Sequence, residues 1–321
     1  MRRITNVVLL LLTLVIITLL LKLKIASLEQ VVITPESDNL VIILSNRVPK
    51  CGSYLTRTII DRLSLKTHAY GSEISENHYE CRMSVEKQVE LRNELIKKAQ
   101  NAHHHRFVYN RHFHFAHFSS EPKISFYYIN QLRDPIDQLV SGYYYNRYVC
   151  MITSPNKQCM FYPPYIYNLT LDDCISKGDP TRCLSKSYGA PEYLIFFCGQ
   201  SSVCTDDAKN KSDRAALSLA KKHIEEHFLF VGLLEHIKDS FALLEHLQPS
   251  MFTGLLRTYE ERKSDTRITS TPEQYRHRPT NETRKMLRNL LANEYELYEF
   301  VKERFMRQYF DVFKRLPGEI R

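Results

Sequence analysis

The chain has 321 residues, 43% of them hydrophobic and 25% charged, a balance that supports a folded core and excludes intrinsic disorder. With only 9 glycines and 13 prolines, collagen-like, glycine-linker and proline-rich architectures are excluded as well. The formal net charge of +8 is spread along the sequence instead of being gathered in a tail, which favours a polyanion-binding groove over a disordered basic arm.

Residues 4–21 are apolar almost without interruption, and about 20 such residues cross a bilayer. Ala26-Ser27 offers only a weak small-residue cleavage site, so the segment reads as an uncleaved transmembrane signal anchor. Residues 1–3 are then a cytoplasmic tail and 22–39 a stem. Basic residues flank both ends of the span, and charge alone does not orient it. The cysteines and glycan acceptors do. Cys174 with Cys183 and Cys198 with Cys204 are closely spaced in turn-rich stretches, as short-loop disulfides require, and Asn168, Asn210 and Asn281 head N-x-S/T sequons. Both features place a domain of residues 40–321 in the secretory lumen. No C-x-x-C occurs and the histidine-rich stretch lies far from the cysteines, so no metal is expected.

Residues 41–44 are a continuous β-branched run, as expected of a strand buried on both faces. After a loop, Leu55, Ile59, Ile60 and Leu63 recur at helical spacing. Residues 86–99 read as a surface helix, 107–109 as a second strand and 124–129 as a third. Asp134-Pro135 starts a helix, because Asp caps unsatisfied backbone N–H groups and Pro suits the first helical position. That helix sets Ile136, Leu139, Val140 and Tyr143 on one stripe. Residues 208–227 read as a helix, 228–232 as a buried strand, 237–247 as a helix, and 283–313 as one long amphipathic helix or two. Alternating strands and helices predict a single α/β domain with a mostly parallel central sheet flanked by helices.

The loop after the first strand carries the sharpest chemical signal. Backbone N–H groups of Lys50, Cys51, Gly52, Ser53 and Tyr54 open a helix N-terminus and form an anion site, to which the Lys50 ammonium adds a charge. The lysine precedes the glycine, unlike a Walker A loop, and no Mg²⁺-holding partner strand is evident, which disfavours nucleoside triphosphate hydrolysis.

The stretch Asn46-Arg47-Val48-Pro49-Lys50-Cys51-Gly52-Ser53 resembles the 5′-phosphosulfate loop of carbohydrate sulfotransferases, whose donor is 3′-phosphoadenosine 5′-phosphosulfate. Leu132-Arg133-Asp134-Pro135-Ile136-Asp137-Gln138-Leu139-Val140-Ser141 resembles their 3′-phosphate motif, with Arg133 and Ser141 as its arginine and serine. Physically, Arg133 ends a strand at the sheet's carboxyl edge, and its planar fork can chelate a phosphate. From about residue 40 to 313 the chain is similar to the uronyl and heparan sulfate 2-O-sulfotransferase family. Tyr109-Asn110-Arg111-His112-Phe113-His114-Phe115, Ser141-Gly142-Tyr143-Tyr144-Tyr145, Phe197-Cys198-Gly199-Gln200 and the spacing of the cysteine pairs carry the likeness. Cys51 and Arg111-His112-x-His114 resemble the uronyl branch more than the heparan branch. Tyr54 and Gly142 depart from the family pattern.

The resemblance implies a P-loop-like sulfotransferase fold behind an N-terminal anchor, a Golgi location, a glycosaminoglycan acceptor (dermatan/chondroitin or heparan sulfate) and no metal or nucleic acid. It implies His112 as general base, a task suited to an imidazole whose unperturbed pKa is near ~6.5. Lys50 would neutralise charge on the leaving phosphate. Cys51 in the phosphate loop would be a free thiol, while Cys150 and Cys159 can close a third small loop. His114 shares a face with His112 in an extended chain and is a candidate substrate contact. Tyr144 or Tyr145 can stack on a sugar, and Arg147 and Arg47 can meet its carboxylate or sulfate. His103, His104 and His105 read as a solvated turn, and residues 262–267 match a donor-closing loop in placement only. By analogy with the heparan branch the chain is expected to form homo-trimers. The alternatives are a glycosaminoglycan-binding membrane protein with an inactive donor site, or a sulfotransferase acting at another position.

Overall fold

The computed structural model describes residues 39–75, 81–148, 169–177, 191–204, 214–262, 271 and 273–319. The first strand, β1 (Leu40–Asn46), leads through a turn into α1 (Ser53–Thr67), followed by β2 (Gly71–Ile74), α2 (Val85–Gln100), β3 (Arg106–Arg111), β4 (Ile124–Leu132) and α3 (Pro135–Tyr148). Two short helices, α4 (Leu171–Lys177) and α5 (Tyr193–Cys198), precede α6 (Arg214–His227), β5 (Phe228–Leu233), α7 (Ile237–Leu247), α8 (Pro249–Phe252), α9 (Leu255–Arg262), α10 (Asn281–Leu290) and α11 (Ala292–Phe313).

The strands form one five-stranded sheet in the order β2-β3-β1-β4-β5, with every pairing parallel. β1 is the middle strand: Ile42 faces Phe107 on one side and Phe126 on the other, and residues 41–46 are buried throughout. Its β-branched run is therefore a consequence of being covered on both faces. Helices supply the cover, α2 packing on β1 and β3, and α7 and α11 on β5. The expected α/β architecture with a parallel sheet holds for Glu36–Arg321, which forms one compact unit.

One element, β2, is absent from the sequence reading. β2, with the sequence Gly-Ser-Glu-Ile, is an edge strand whose residues are all half-buried, so it has no apolar run to reveal it. α6 is described from Arg214, residues 205–213 lying outside the described segments. The C-terminal stretch, read as one long helix or two, is two, broken at Leu291 where φ is −102° and ψ 26°, and Thr280 caps the first by accepting from Thr283 N at 3.3 Å.

The Asp134-Pro135 start of α3 forms as expected: Asp134 Oδ1 accepts from the backbone N–H groups of Ile136 and Asp137 at 3.0 and 3.1 Å. Its other oxygen accepts from the Tyr295 hydroxyl at 2.9 Å, tying α3 to α11. Asp134→Ala removes the cap and leaves that hydroxyl without its carboxylate, so a loss of about 1–3 kcal/mol is expected in urea unfolding, with Asp134→Asn recovering most of it. An unchanged unfolding midpoint for the alanine variant would contradict this account of the helix start.

Cys198 and Cys204 are joined in a disulfide. Cys174 is also disulfide-bonded. The expected partner Cys183, together with Cys150, Cys159, Asn168 and Asn210, lies outside the described residues, whereas Asn281 is exposed as the first residue of α10. The span 4–21 and residues 1–3 and 22–38 are likewise outside them, and no described helix is long and apolar enough to cross a membrane.

Candidate active site

β3, β1 and β4 lie side by side, so their carboxyl ends deliver three loops to one edge of the sheet. β3 hands over at Arg111 to His112, β1 at Asn46 to the turn 47–52, and β4 at Leu132 to Arg133. The chain fills β1 first, moves outward to β2, returns to β3, and only then crosses to β4, which puts the reversal of direction at β1. Ligands of open α/β sheets bind at such a reversal, outside the carboxyl ends.

The turn is fixed by buried amides. Asn130 Nδ2 on β4 donates to both the carbonyl and Oδ1 of Asn46, at 2.7 and 2.9 Å, and Asn46 Nδ2 donates to Phe196 O at 3.4 Å. Further along, Gln138 Nε2 of α3 donates to the Pro49 carbonyl at 3.1 Å. The backbone is left-handed at Lys50 (φ 62°) and Gly52 (φ 75°). A Cβ on Gly52 would stand 2.6 Å from Leu234 Cδ1 and 3.0 Å from Gln131 Nε2, so glycine serves both the conformation and the close approach. As N-cap of α1, Gly52 gives no side-chain bond to the first-turn N–H groups.

Lys50 and Arg133, read from separate motifs, share one electrostatic environment. The Lys50 pKa is lowered to about 8, first because burial strips water from the ammonium and then because the Arg133 guanidinium repels it. The ammonium rests on the face of Tyr145, 3.3 Å from the ring centroid. Cys51 is fully buried, and its thiol, pushed up to about 12 mainly by burial, donates to Tyr193 Oη at 3.6 Å. The Tyr193 hydroxyl donates in turn to the Arg133 carbonyl at 2.7 Å.

His112 is half-buried beside the same turn. Its Nδ1 lies 2.7 Å from the Arg47 carbonyl, and since a carbonyl can only accept, Nδ1 carries the proton and Nε2 carries the lone pair in the neutral ring. Arg47 is itself held by its backbone N–H to Arg111 O at 2.9 Å and by its guanidinium to Ser75 O at 3.3 Å. The imidazole is thus oriented by a backbone group only three positions before Lys50.

Other expected site residues are placed differently. His114 is buried beneath the loop: its N–H donates to Cys81 O, its carbonyl accepts from Gln200 Nε2, and its ring meets Phe196 edge-on at 5.2 Å. Tyr144 is buried with its hydroxyl accepting from Leu171 N at 3.1 Å, and Arg147 is buried with its guanidinium over Tyr143, 3.2 Å from the centroid. These three side chains point into the interior instead of lining the open edge. Tyr54 is exposed, with the Arg57 guanidinium 4.8 Å over its ring, and Ser141 is half-buried on α3. His103, His104 and His105 are exposed in a single 3₁₀ turn, the solvated turn expected of them. Residues 263–267 lie outside the described segments.

Sequence reasoning missed Tyr193, Gln138 and the contact of Tyr145 with Lys50. Tyr193 opens the run Tyr-Leu-Ile-Phe-Phe-Cys, which is buried at every position and shows no polar pattern. Nothing in that run signals a hydroxyl reaching a thiol 142 residues away.

The chain is 30% identical to the uronyl 2-sulfotransferase of Homo sapiens over 268 residues, covering 82% of this chain and 62% of that protein. It is 30% identical to the heparan sulfate 2-O-sulfotransferase 1 of Gallus gallus over 285 residues, 86% of this chain and 73% of that one. The uronyl 2-sulfotransferase homolog pip of Drosophila melanogaster is 28% identical, with 52% of its length covered. The chain therefore spans about three-fifths of the human uronyl relative. The sequence model of the sulfotransferase family matches residues 37–301, from just before β1 into α11, and the chain belongs to that family.

Proposed function

We propose that the protein transfers a sulfuryl group from 3′-phosphoadenosine 5′-phosphosulfate to the 2-hydroxyl of a uronic acid in a glycosaminoglycan. The observation that carries this reading is the meeting of three chemistries on adjacent strand ends. An ammonium-bearing turn opens a helix, a guanidinium lies near it, and an imidazole has its Nε2 lone pair set by a backbone carbonyl. The donor fits the residues present: the N–H groups of 50–54 and Lys50 would take the 5′-phosphosulfate, and Arg133 with Ser141 the 3′-phosphate. His112 Nε2 takes the proton of the sugar hydroxyl as its oxygen bonds to sulfur. The bond from sulfur to the bridging phosphate oxygen breaks, and Lys50 neutralises the charge left on that oxygen. Tyr54 would serve the donor turn through its backbone N–H, its ring being exposed, while Arg47, His114, Tyr144 and Arg147 are buried and would support the acceptor side from beneath. In this reading residues 4–21 anchor the chain in the Golgi membrane as a type II protein, with residues 40–321 in the lumen, Asn168, Asn210 and Asn281 as glycan acceptors, and a homo-trimer as the assembly.

The test is incubation with sulfate-labelled donor and heparan, chondroitin and dermatan chains, followed by digestion to disaccharides. Label on the 2-position of the uronic acid is expected. Label at another hydroxyl would overturn the regiochemistry, and binding of the chains without transfer would favour a glycosaminoglycan-binding protein.

A further inference from the structure

We infer that Tyr193 is a positioning residue that locks the Lys50 turn and the Arg133 strand end into one clamp, fixing the separation between the sites for the two phosphates of the nucleotide. The inference rests on the donor reading above and extends it to a residue that touches neither phosphate. α5 crosses the carboxyl ends of all three central strands. Phe196 O accepts from Asn46 Nδ2 at the end of β1 and from Phe115 N after β3, while the Tyr193 hydroxyl donates to Arg133 O after β4. The helix is fastened behind by Leu194 N donating to Glu294 Oε2 of α11 at 3.1 Å, and Tyr193 is fully buried.

Within that brace the chain of bonds runs in one direction, from the Cys51 thiol to Tyr193 Oη and from the Tyr193 O–H to the Arg133 carbonyl. Burial holds both the thiol and the phenol well above their ordinary ranges, so both protons stay in place at any working pH. Cys51 belongs to the turn that takes one phosphate, and Arg133 supplies the charge for the other. One phenol therefore spans the two half-sites. A ligand with a phosphate at each end gains from a preset spacing, because the two contacts are then made without reordering the protein, whereas a ligand with one phosphate gains nothing from it.

The experiment measures Kd by calorimetry for adenosine 3′,5′-bisphosphate, adenosine 5′-monophosphate and adenosine 3′-monophosphate, with wild type, Tyr193→Phe, Cys51→Ala and the double variant. Tyr193→Phe should weaken the bisphosphate roughly tenfold and each monophosphate less than about twofold, so that the advantage of having both phosphates shrinks. Cys51→Ala should weaken the bisphosphate alone by about two- to threefold, with the double variant no worse than Tyr193→Phe, since the two bonds act in series. Equal losses for all three nucleotides, or an unchanged bisphosphate affinity, would overturn the inference while leaving the donor site standing. If Tyr193→Phe does not fold, Cys51→Ala decides alone, and wild-type affinity for the bisphosphate overturns the inference. Absence of bisphosphate binding by the wild type would overturn the donor reading together with this one.

Discussion

His112→Asn should lower turnover by roughly 10²–10⁴-fold while leaving affinity for adenosine 3′,5′-bisphosphate within about twofold of wild type. Asparagine is the informative replacement because its amide nitrogen sits where Nδ1 does. It can keep the bond to the Arg47 carbonyl that the imidazole makes at 2.7 Å, and with it the shape of the turn that leads to Lys50. What it lacks is Nε2. A loss confined to kcat then isolates proton removal from loop positioning, whereas His112→Ala would remove both together. The measurement is steady-state kinetics with saturating donor, paired with calorimetry. Retained turnover in His112→Asn would show that the ring is a structural strut and that another group takes the proton.

Lys50→Ala should be as damaging, by a different route. In the proposed reaction the ammonium supplies charge at the phosphate turn and at the leaving oxygen, so both donor affinity and kcat should fall, with kcat/KM lower by about 10²–10³-fold. The same residue sets a pH dependence whose sign follows from its surroundings. With its pKa lowered to about 8 by burial and by Arg133, Lys50 is charged below that pH in the unliganded protein and increasingly neutral above it. A bound phosphate restores the charged form, so nucleotide affinity should be flat between the second phosphate ionisation at ~6 and about 8, and fall by up to about tenfold per pH unit on the alkaline side. Lys50→Arg should abolish that alkaline limb, because a guanidinium stays protonated throughout. An alkaline limb that survives in Lys50→Arg would assign the titration to another group.

How much of this was legible in the sequence depends on the range of the interactions. β1 and the turn after it could be read locally, since a β-branched run followed by an apolar helical stripe is the imprint of a strand and helix that each bury a face. The Asp134-Pro135 boundary was legible for the same reason, its hydrogen bonds reaching only two and three residues forward. The tyrosine run was half legible. Helical spacing put Tyr143 in the core, where it is, but could not say that the Tyr144 hydroxyl would be sealed against Leu171 while the Tyr145 face would hold the Lys50 ammonium. Which neighbour of a buried residue turns inward depends on what packs above it, and that comes from elsewhere in the chain. His114 illustrates the limit of period-two reasoning. It was expected to share a face with His112, yet β3 ends at Arg111, and the segment beyond it dives under Gln200 and Phe196. β2 escaped because an edge strand needs no continuous apolar run, and Tyr193 because its partners are remote in sequence.

A crystal structure of the protein with adenosine 3′,5′-bisphosphate tests the central claim most directly. The 5′-phosphate should lie on the N–H groups at the start of α1 with Lys50 lifted from Tyr145 to meet it. The 3′-phosphate should contact Arg133, and His112 Nε2 should face the space beyond the 5′-phosphate. A nucleotide bound away from the carboxyl ends of β1 and β4, or a Lys50 that stays on Tyr145 with the site filled, would contradict the account.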